Sequence, residues 1–106
     1  MIKEISVQEL KKMIDEKQDF QLIDVREPFE YETCNIGALL IPMAGVLIEA
    51  EKISKDKPVV VHCRSGARSA AAIMQLQQQL GYTNLMNLKG GIMAWAAEID
   101  PSLKVQ

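Results

Sequence analysis

A chain of 106 residues, 48% hydrophobic and 25% charged, is long enough for one globular domain with a sizeable core, and its composition excludes a disordered or fibrous polymer. A formal net charge of -2 gives no basis for nucleic acid or an anionic membrane as partner. The longest apolar run, Gly37 to Ile48, is too short and too broken by Pro42 and Gly45 to cross a bilayer. Two cysteines are too few for a disulfide scaffold, so a reducing compartment, the cytoplasm, is expected.

In chain order, Lys3 and Glu4 lead straight into a polar helical pattern rather than a secretory signal. Ser6-Val7-Gln8-Glu9 has the capping-box form, and Val7, Leu10, Met13 and Ile14 follow at helical spacing, which predicts an amphipathic helix from about 7 to 17. Phe20 to Val25 reads as a short buried strand, and Glu27-Pro28 opens a helical turn through Tyr31. Ala38 to Ile41 predicts another strand, and Gly45 to Ile53 a helix that ends before the charged turn Lys55-Asp56-Lys57-Pro58. Val59-Val60-Val61 is the clearest strand. Ala67 to Leu80 is the strongest helix, with Ile73, Leu76 and Leu80 on one face and Gly81 as its stop. Leu85 to Leu88 is the last strand, and Gly90-Gly91 leads into a helix from Ile92 to Ile99.

Short apolar strands alternating with helices predict an α/β fold: a short, mostly parallel sheet with helices on both faces. No repeat, linker or low-complexity tract interrupts residues 1–106, so a single domain is expected, with the tail from Pro101 to Gln106 free to fray. Ligands in such folds sit beyond the carboxyl ends of the strands, and Cys63 follows the valine strand at that edge.

The stretch His62-Cys63-Arg64-Ser65-Gly66-Ala67-Arg68-Ser69 joins this strand to the helix. Backbone N–H groups of Ser65 to Ser69 can converge on the Cys63 sulfur, and Gly66 permits the tight loop. Arg64 and Arg68 add positive charge. Helix N-termini and nearby cations lower a cysteine pKa from about 8.5 to roughly 3.5–7.5, so these surroundings favour a thiolate and an anion pocket. A buried structural cysteine is the bland alternative; the two arginines, the glycine and the strand–loop–helix junction together weigh against it.

Loop length separates two chemistries. Cysteine-dependent phosphatases resemble one another in an H-C-x5-R motif that encloses a tetrahedral phosphoryl group. Here four residues lie between Cys63 and Arg68, one fewer. The smaller cradle suits a single terminal sulfur carried by Cys63, so sulfur transfer is favoured over a phosphatase or arsenate reductase.

Cys63-Arg64-Ser65-Gly66-Ala67-Arg68-Ser69 resembles the active-site loop of rhodanese-type sulfurtransferases in their single-domain form. Leu22 to Tyr31 and Leu88 to Trp95 resemble two further stretches of the family in its order, so the resemblance spans most of the chain. It implies a rhodanese-like domain in which Cys63 is the nucleophile and Arg64, Ser65, Gly66, Ala67, Arg68 and Ser69 bind the substrate. It implies exchange through a Cys63 persulfide: a small anionic donor such as thiosulfate loads the sulfur, and cyanide or a thiol removes it. No metal or organic cofactor is implied. The same chemistry serves a second class, a persulfide carrier or interaction module that works with a protein sulfur acceptor. One departure stands out: where the family carries a histidine and a proline after the acidic turn, this chain has Thr33-Cys34-Asn35-Ile36-Gly37-Ala38, with Asn35 at the histidine position.

The remaining residues get plainer readings. His62 is the only histidine and is expected to support the loop rather than act as a base. One histidine and two separated cysteines do not make a zinc site. Asp24 and Arg26 read as a structural ion pair, Trp95 as a core anchor, and Met43, Met74, Met86 and Met93 as core fillers. Cys34 reads as incidental, although a nearby thiol could resolve an oxidised Cys63 as a disulfide.

Overall fold

The computed structural model describes residues 2–105. Its elements in chain order are β1 (Lys3–Ile5), α1 (Val7–Asp15), β2 (Gln21–Asp24), α2 (Pro28–Thr33), β3 (Leu39–Leu40), β4 (Val59–His62), α3 (Ala67–Leu80), β5 (Leu85–Leu88) and α4 (Gly91–Glu98). The five strands form one sheet in the order β1-β5-β4-β2-β3, and every pairing is parallel.

Alternation along β4 divides the core. Val59, Val61 and Cys63 face a cluster that includes Ile23, Ile41, Val46, Ala72, Ile73 and Leu76, on the α3 side. Val60 faces Ile5, Val7, Leu10, Met86, Leu88 and Trp95, on the side of α1 and α4. Both faces of the sheet are therefore dry, as an all-parallel sheet requires. Each fully buried Leu or Ile contributes about 1.5–3 kcal/mol, and Ile73 and Leu76 bring α3 onto the sheet in this way.

Local chemistry sets the helix ends. Ser6 and Glu9 close the expected capping box, with Glu9 N–H donating to Ser6 Oγ at 3.0 Å and Ser6 N–H to Glu9 Oε1 at 2.9 Å. Gly81, at φ +72°, terminates α3. Trp95 packs in the core as expected, whereas Met74, Met93 and Leu80 are exposed. Leu103 packs against the α1/α4 side beyond a turn at Pro101-Ser102.

Two elements differ from the sequence reading. Lys3–Ile5 is a strand, paired with β5 from Lys3↔Met86 to Ile5↔Leu88. Only Ile5 of the three is buried, and charged side chains on a short edge strand hide its β character from local patterning. Residues 45–53, expected to be one helix, form turns with short 3-10 helices at Met43–Gly45 and Ala50–Lys52. Val46, Ala50 and Ile53 are buried at near-helical spacing, but neither piece has a side-chain cap, and so short an uncapped segment gains too little from α-helical hydrogen bonds to persist.

Candidate active site

The parallel arrangement brings the carboxyl ends of the strands to one edge. Asp24 at the end of β2 lies in register with His62 at the end of β4, and the chain turns into the loop at Cys63. Asn87 of β5 is in register with Val61, so it shares the sheet face on which Cys63 points.

The loop is held by the start of α4. Ile92 N–H donates to Cys63 O at 2.9 Å, and Met93 N–H to Arg64 O at 3.0 Å. These are first-turn donors of a helix, which have no partner within it. Their grip turns the Cys63 and Arg64 carbonyls toward α4. Gly91 makes this approach possible: it has φ +58°, and a Cβ there would stand 2.5 Å from Arg64 O and 2.6 Å from Cys63 O. Gly91 thus serves the cysteine loop, a role beyond the helix start expected of it.

On the other side, Gly66 adopts φ +111° and opens α3. Its N–H donates to Cys63 Sγ at 3.1 Å, and the Ser69 hydroxyl lies 3.4 Å from the same sulfur. Cys63 is 1% exposed, at the floor of the loop. Burial by itself would push the thiol up. The Ser69 hydroxyl and the backbone N–H groups of Ser69, Gly66 and Ser65 outweigh it and hold the pKa below that of an ordinary thiol. Ser65 and Ala67 are exposed, Arg64, Gly66 and Arg68 are half-buried, and Ser69 is fully buried.

Arg68 departs from the expectation of a cation turned to the substrate. Its Nη1 and Nη2 donate to Glu30 Oε1 and Oε2 at 2.7 and 2.8 Å, a bidentate pair between α3 and α2. The Arg68 guanidinium, aided by the Glu27 N–H, holds the Glu30 carboxyl at about 2 despite its partial burial. Glu30 had no functional signal in the sequence beyond its place three residues after Glu27, where its Oε1 also accepts the Glu27 N–H at 3.0 Å.

Asp24 and Arg26 form a fully buried ion pair, with Arg26 Nη2 2.7 Å from Asp24 Oδ2. Arg26 also donates to the carbonyls of Glu30 and Cys34, at 3.3 and 2.8 Å, and so ties β2 to the end of α2. This is the structural role expected of the pair. His62 is buried and points to the face opposite Cys63. Its Nδ1 is 3.3 Å from Cys63 O, and its Nε2 is 3.6 Å from Asp24 Oδ2, beyond hydrogen-bond range. Burial holds its pKa below the ordinary imidazole value, so it is uncharged at neutral pH.

Asn35 supplies its own turn where the histidine was expected. Its Oδ1 accepts from Gly37 N–H at 2.9 Å, and its Nδ2 donates to Tyr31 O at 3.2 Å. Cys34, at the end of α2, is half-buried, and both cysteines are free thiols. Among the described residues no cluster of three or more His, Cys, Asp or Glu could hold a metal ion, and no helix is long and apolar enough to cross a membrane.

Comparison with known proteins agrees with this geometry. A model of the rhodanese-like domain matches residues 6–98. A sulfurtransferase of Allochromatium vinosum is 43% identical over 97 residues, covering 91% of this chain and 90% of that protein. A Mycobacterium tuberculosis protein named "Probable adenylyltransferase/sulfurtransferase MoeZ" is 36% identical over 104 residues, which are 93% of this chain and 26% of that longer protein. The crystal structure of a rhodanese-like domain protein from Staphylococcus aureus superposes with a TM-score of 0.83 at 30% identity, covering 99% of each chain. With a parallel five-stranded sheet, a cysteine loop closed by α3 and α4, and these relatives over nearly its whole length, the chain belongs to the rhodanese-like family of sulfurtransferases.

Proposed function

We propose that this domain moves sulfane sulfur from thiosulfate or a similar small anionic donor to cyanide or a thiol, through a persulfide on Cys63. The observation that carries the reading is the Cys63 sulfur at the floor of its loop, facing the Gly66 N–H and the Ser69 hydroxyl that favour its anion. In the first step the thiolate attacks the outer sulfur of thiosulfate. The new S–S bond forms at Cys63 as the S–S bond of the donor breaks, and its electron pair leaves with sulfite. In the second, cyanide attacks the outer sulfur and departs as thiocyanate, returning the thiolate. Charge balances in both steps, and neither needs a base or a metal. That suits a neutral His62 on the opposite face of the sheet.

The N–H groups of Ser65, Gly66 and Ser69 stabilise the thiolate and then the persulfide anion. Arg64, in the loop itself, orients the anionic donor. Arg68, paired with Glu30, fixes the start of α3, and its charge also acts on the Cys63 sulfur. A thiol that must stay reduced between turnovers suits the cytoplasm.

A second reading has its own support. The Mycobacterium tuberculosis relative carries this domain within a longer chain named for adenylyl and sulfur transfer, which fits a persulfide handed to a protein acceptor by the same Cys63. Thiocyanate formation from thiosulfate and cyanide tests the enzyme reading. The wild-type chain is expected to turn over and Cys63→Ser to lose all of it; substantial activity in that variant would overturn the role of Cys63.

A further inference from the structure

Ser69 and Asn87 form a second layer beneath the cysteine. The Ser69 hydroxyl is fully buried, so its single proton cannot go to water. Three acceptors surround it: Asn87 Oδ1 at 2.6 Å, Gly66 O at 3.2 Å and Cys63 Sγ at 3.4 Å. Gly66 O is already supplied, by Ala70 N–H at 3.1 Å and by Asn87 Nδ2 at 3.1 Å. The orientation of the Asn87 amide follows from the same contacts. Gly66 O only accepts, so the NH₂ end must face it and the oxygen must face Ser69. Two destinations therefore compete for one proton: the Asn87 oxygen and the Cys63 sulfur.

We propose that Asn87 is a positioning residue for the reacting sulfur, holding the Ser69 proton while Cys63 is uncharged and releasing it to Sγ when the sulfur becomes anionic. Turning the proton requires only rotation about the Ser69 Cβ–Oγ bond, with no movement of the loop. In the thiol state the short bond to Asn87 wins. In the thiolate state a charge-assisted bond to sulfur wins, although Ser69 then turns a lone pair toward Asn87 Oδ1. Once the outer sulfur is loaded, the negative charge sits on it rather than on the inner sulfur, and the proton returns to Asn87. The buried hydroxyl thus keeps a partner throughout the cycle, and Asn87 limits how far Ser69 stabilises the thiolate. That limit matters because a thiolate loses nucleophilicity as its pKa falls. Asn87 stands as a buried polar residue in the otherwise apolar β5.

The proposal rests on Cys63 being the reacting sulfur. Its test needs no sulfur donor, so its failure is distinct from failure of the persulfide reading. The charges around Cys63 are Arg64 in its loop, Arg68 of α3 paired with Glu30 of α2, and the Asp24–Arg26 pair beside neutral His62 at the ends of β2 and β4; the substitutions leave all of them in place. The pH profile of Cys63 alkylation by iodoacetamide is followed by peptide mass, which separates Cys63 from Cys34. Asn87→Leu is made both in the wild-type chain and with Ser69→Ala. In the presence of Ser69, the midpoint is expected to fall by about one pH unit, the value of the neutral hydrogen bond to Asn87 that competes in the thiol state. With Ser69→Ala, Asn87→Leu is expected to leave it unchanged. Asn87→Ala, which removes the same oxygen without adding apolar bulk, repeats the comparison if the leucine variant fails to fold by circular dichroism. A midpoint that stays or rises in the Ser69-bearing protein, or that moves equally in both backgrounds, would overturn the proposal.

Discussion

Arg68 grips Glu30 with both terminal nitrogens, at 2.7 and 2.8 Å, and so fastens the first turn of α3 to α2. The pair joins segments 38 residues apart. It also makes a pH signature. A carboxyl held at about 2 stabilises the fold above its ordinary value of 4.5, and that stability is lost as pH falls through about 2. Arg68 is 35% open to water, so the pair's contribution is about 1 kcal/mol rather than the larger figure its shift alone implies. Urea unfolding of Glu30→Gln against wild type is expected to show that gap at neutral pH and to show it closing toward pH ~2. A gap that persists in acid would mean that the substitution acts through packing.

The buried Asp24–Arg26 pair is the more fragile one. Arg26→Leu leaves a carboxylate in the core without its cation and removes the donors to the Glu30 and Cys34 carbonyls. Stability is expected to drop by about 3–5 kcal/mol, measured as a fall in melting temperature, with α2 the segment most exposed to hydrogen exchange.

Gly91→Ala tests the clamp of α4 on the loop. The added Cβ meets two carbonyl oxygens, at 2.5 and 2.6 Å, at a positive φ. A loss of at least about 2 kcal/mol together with most of the sulfurtransferase activity is expected. Gly81→Ala is the control: it has φ +72° but nothing within 4 Å of its Cβ. It should cost about 1–2 kcal/mol for the backbone alone and leave turnover intact.

Ser69→Ala removes a donor from the sulfur at 3.4 Å. The hydroxyl helps to hold the Cys63 thiol down against the burial that pushes it up. The thiolate is the form present above the pKa, so the variant's alkylation midpoint should move upward. At pH values below both midpoints, its rate should fall about tenfold for each pH unit of that movement. An unchanged profile would assign thiolate stabilisation to the backbone N–H groups alone.

What was legible in the sequence was what local chemistry determines. The capping box at Ser6 and Glu9, the valine strand, the helix between Gly66 and Gly81, and the cysteine at the strand–helix junction each follow from neighbouring residues. The interactions that complete the site join distant segments. Glu30 meets Arg68, Asn87 meets Ser69, and the start of α4 meets the Cys63 and Arg64 carbonyls only once the sheet has brought its carboxyl ends together. β1 was hidden for the same reason, because its strand character comes from pairing with β5 across the chain. Asn87 did carry a faint signal as the polar residue in Leu85-Met86-Asn87-Leu88.

Intact mass after incubation with thiosulfate tests the central claim most directly. The wild-type chain is expected to gain one sulfur atom, located on the Cys63 peptide and released by cyanide, while Cys63→Ser gains none. A wild-type chain that stays unmodified, or a sulfur found on Cys34 instead, would contradict the account.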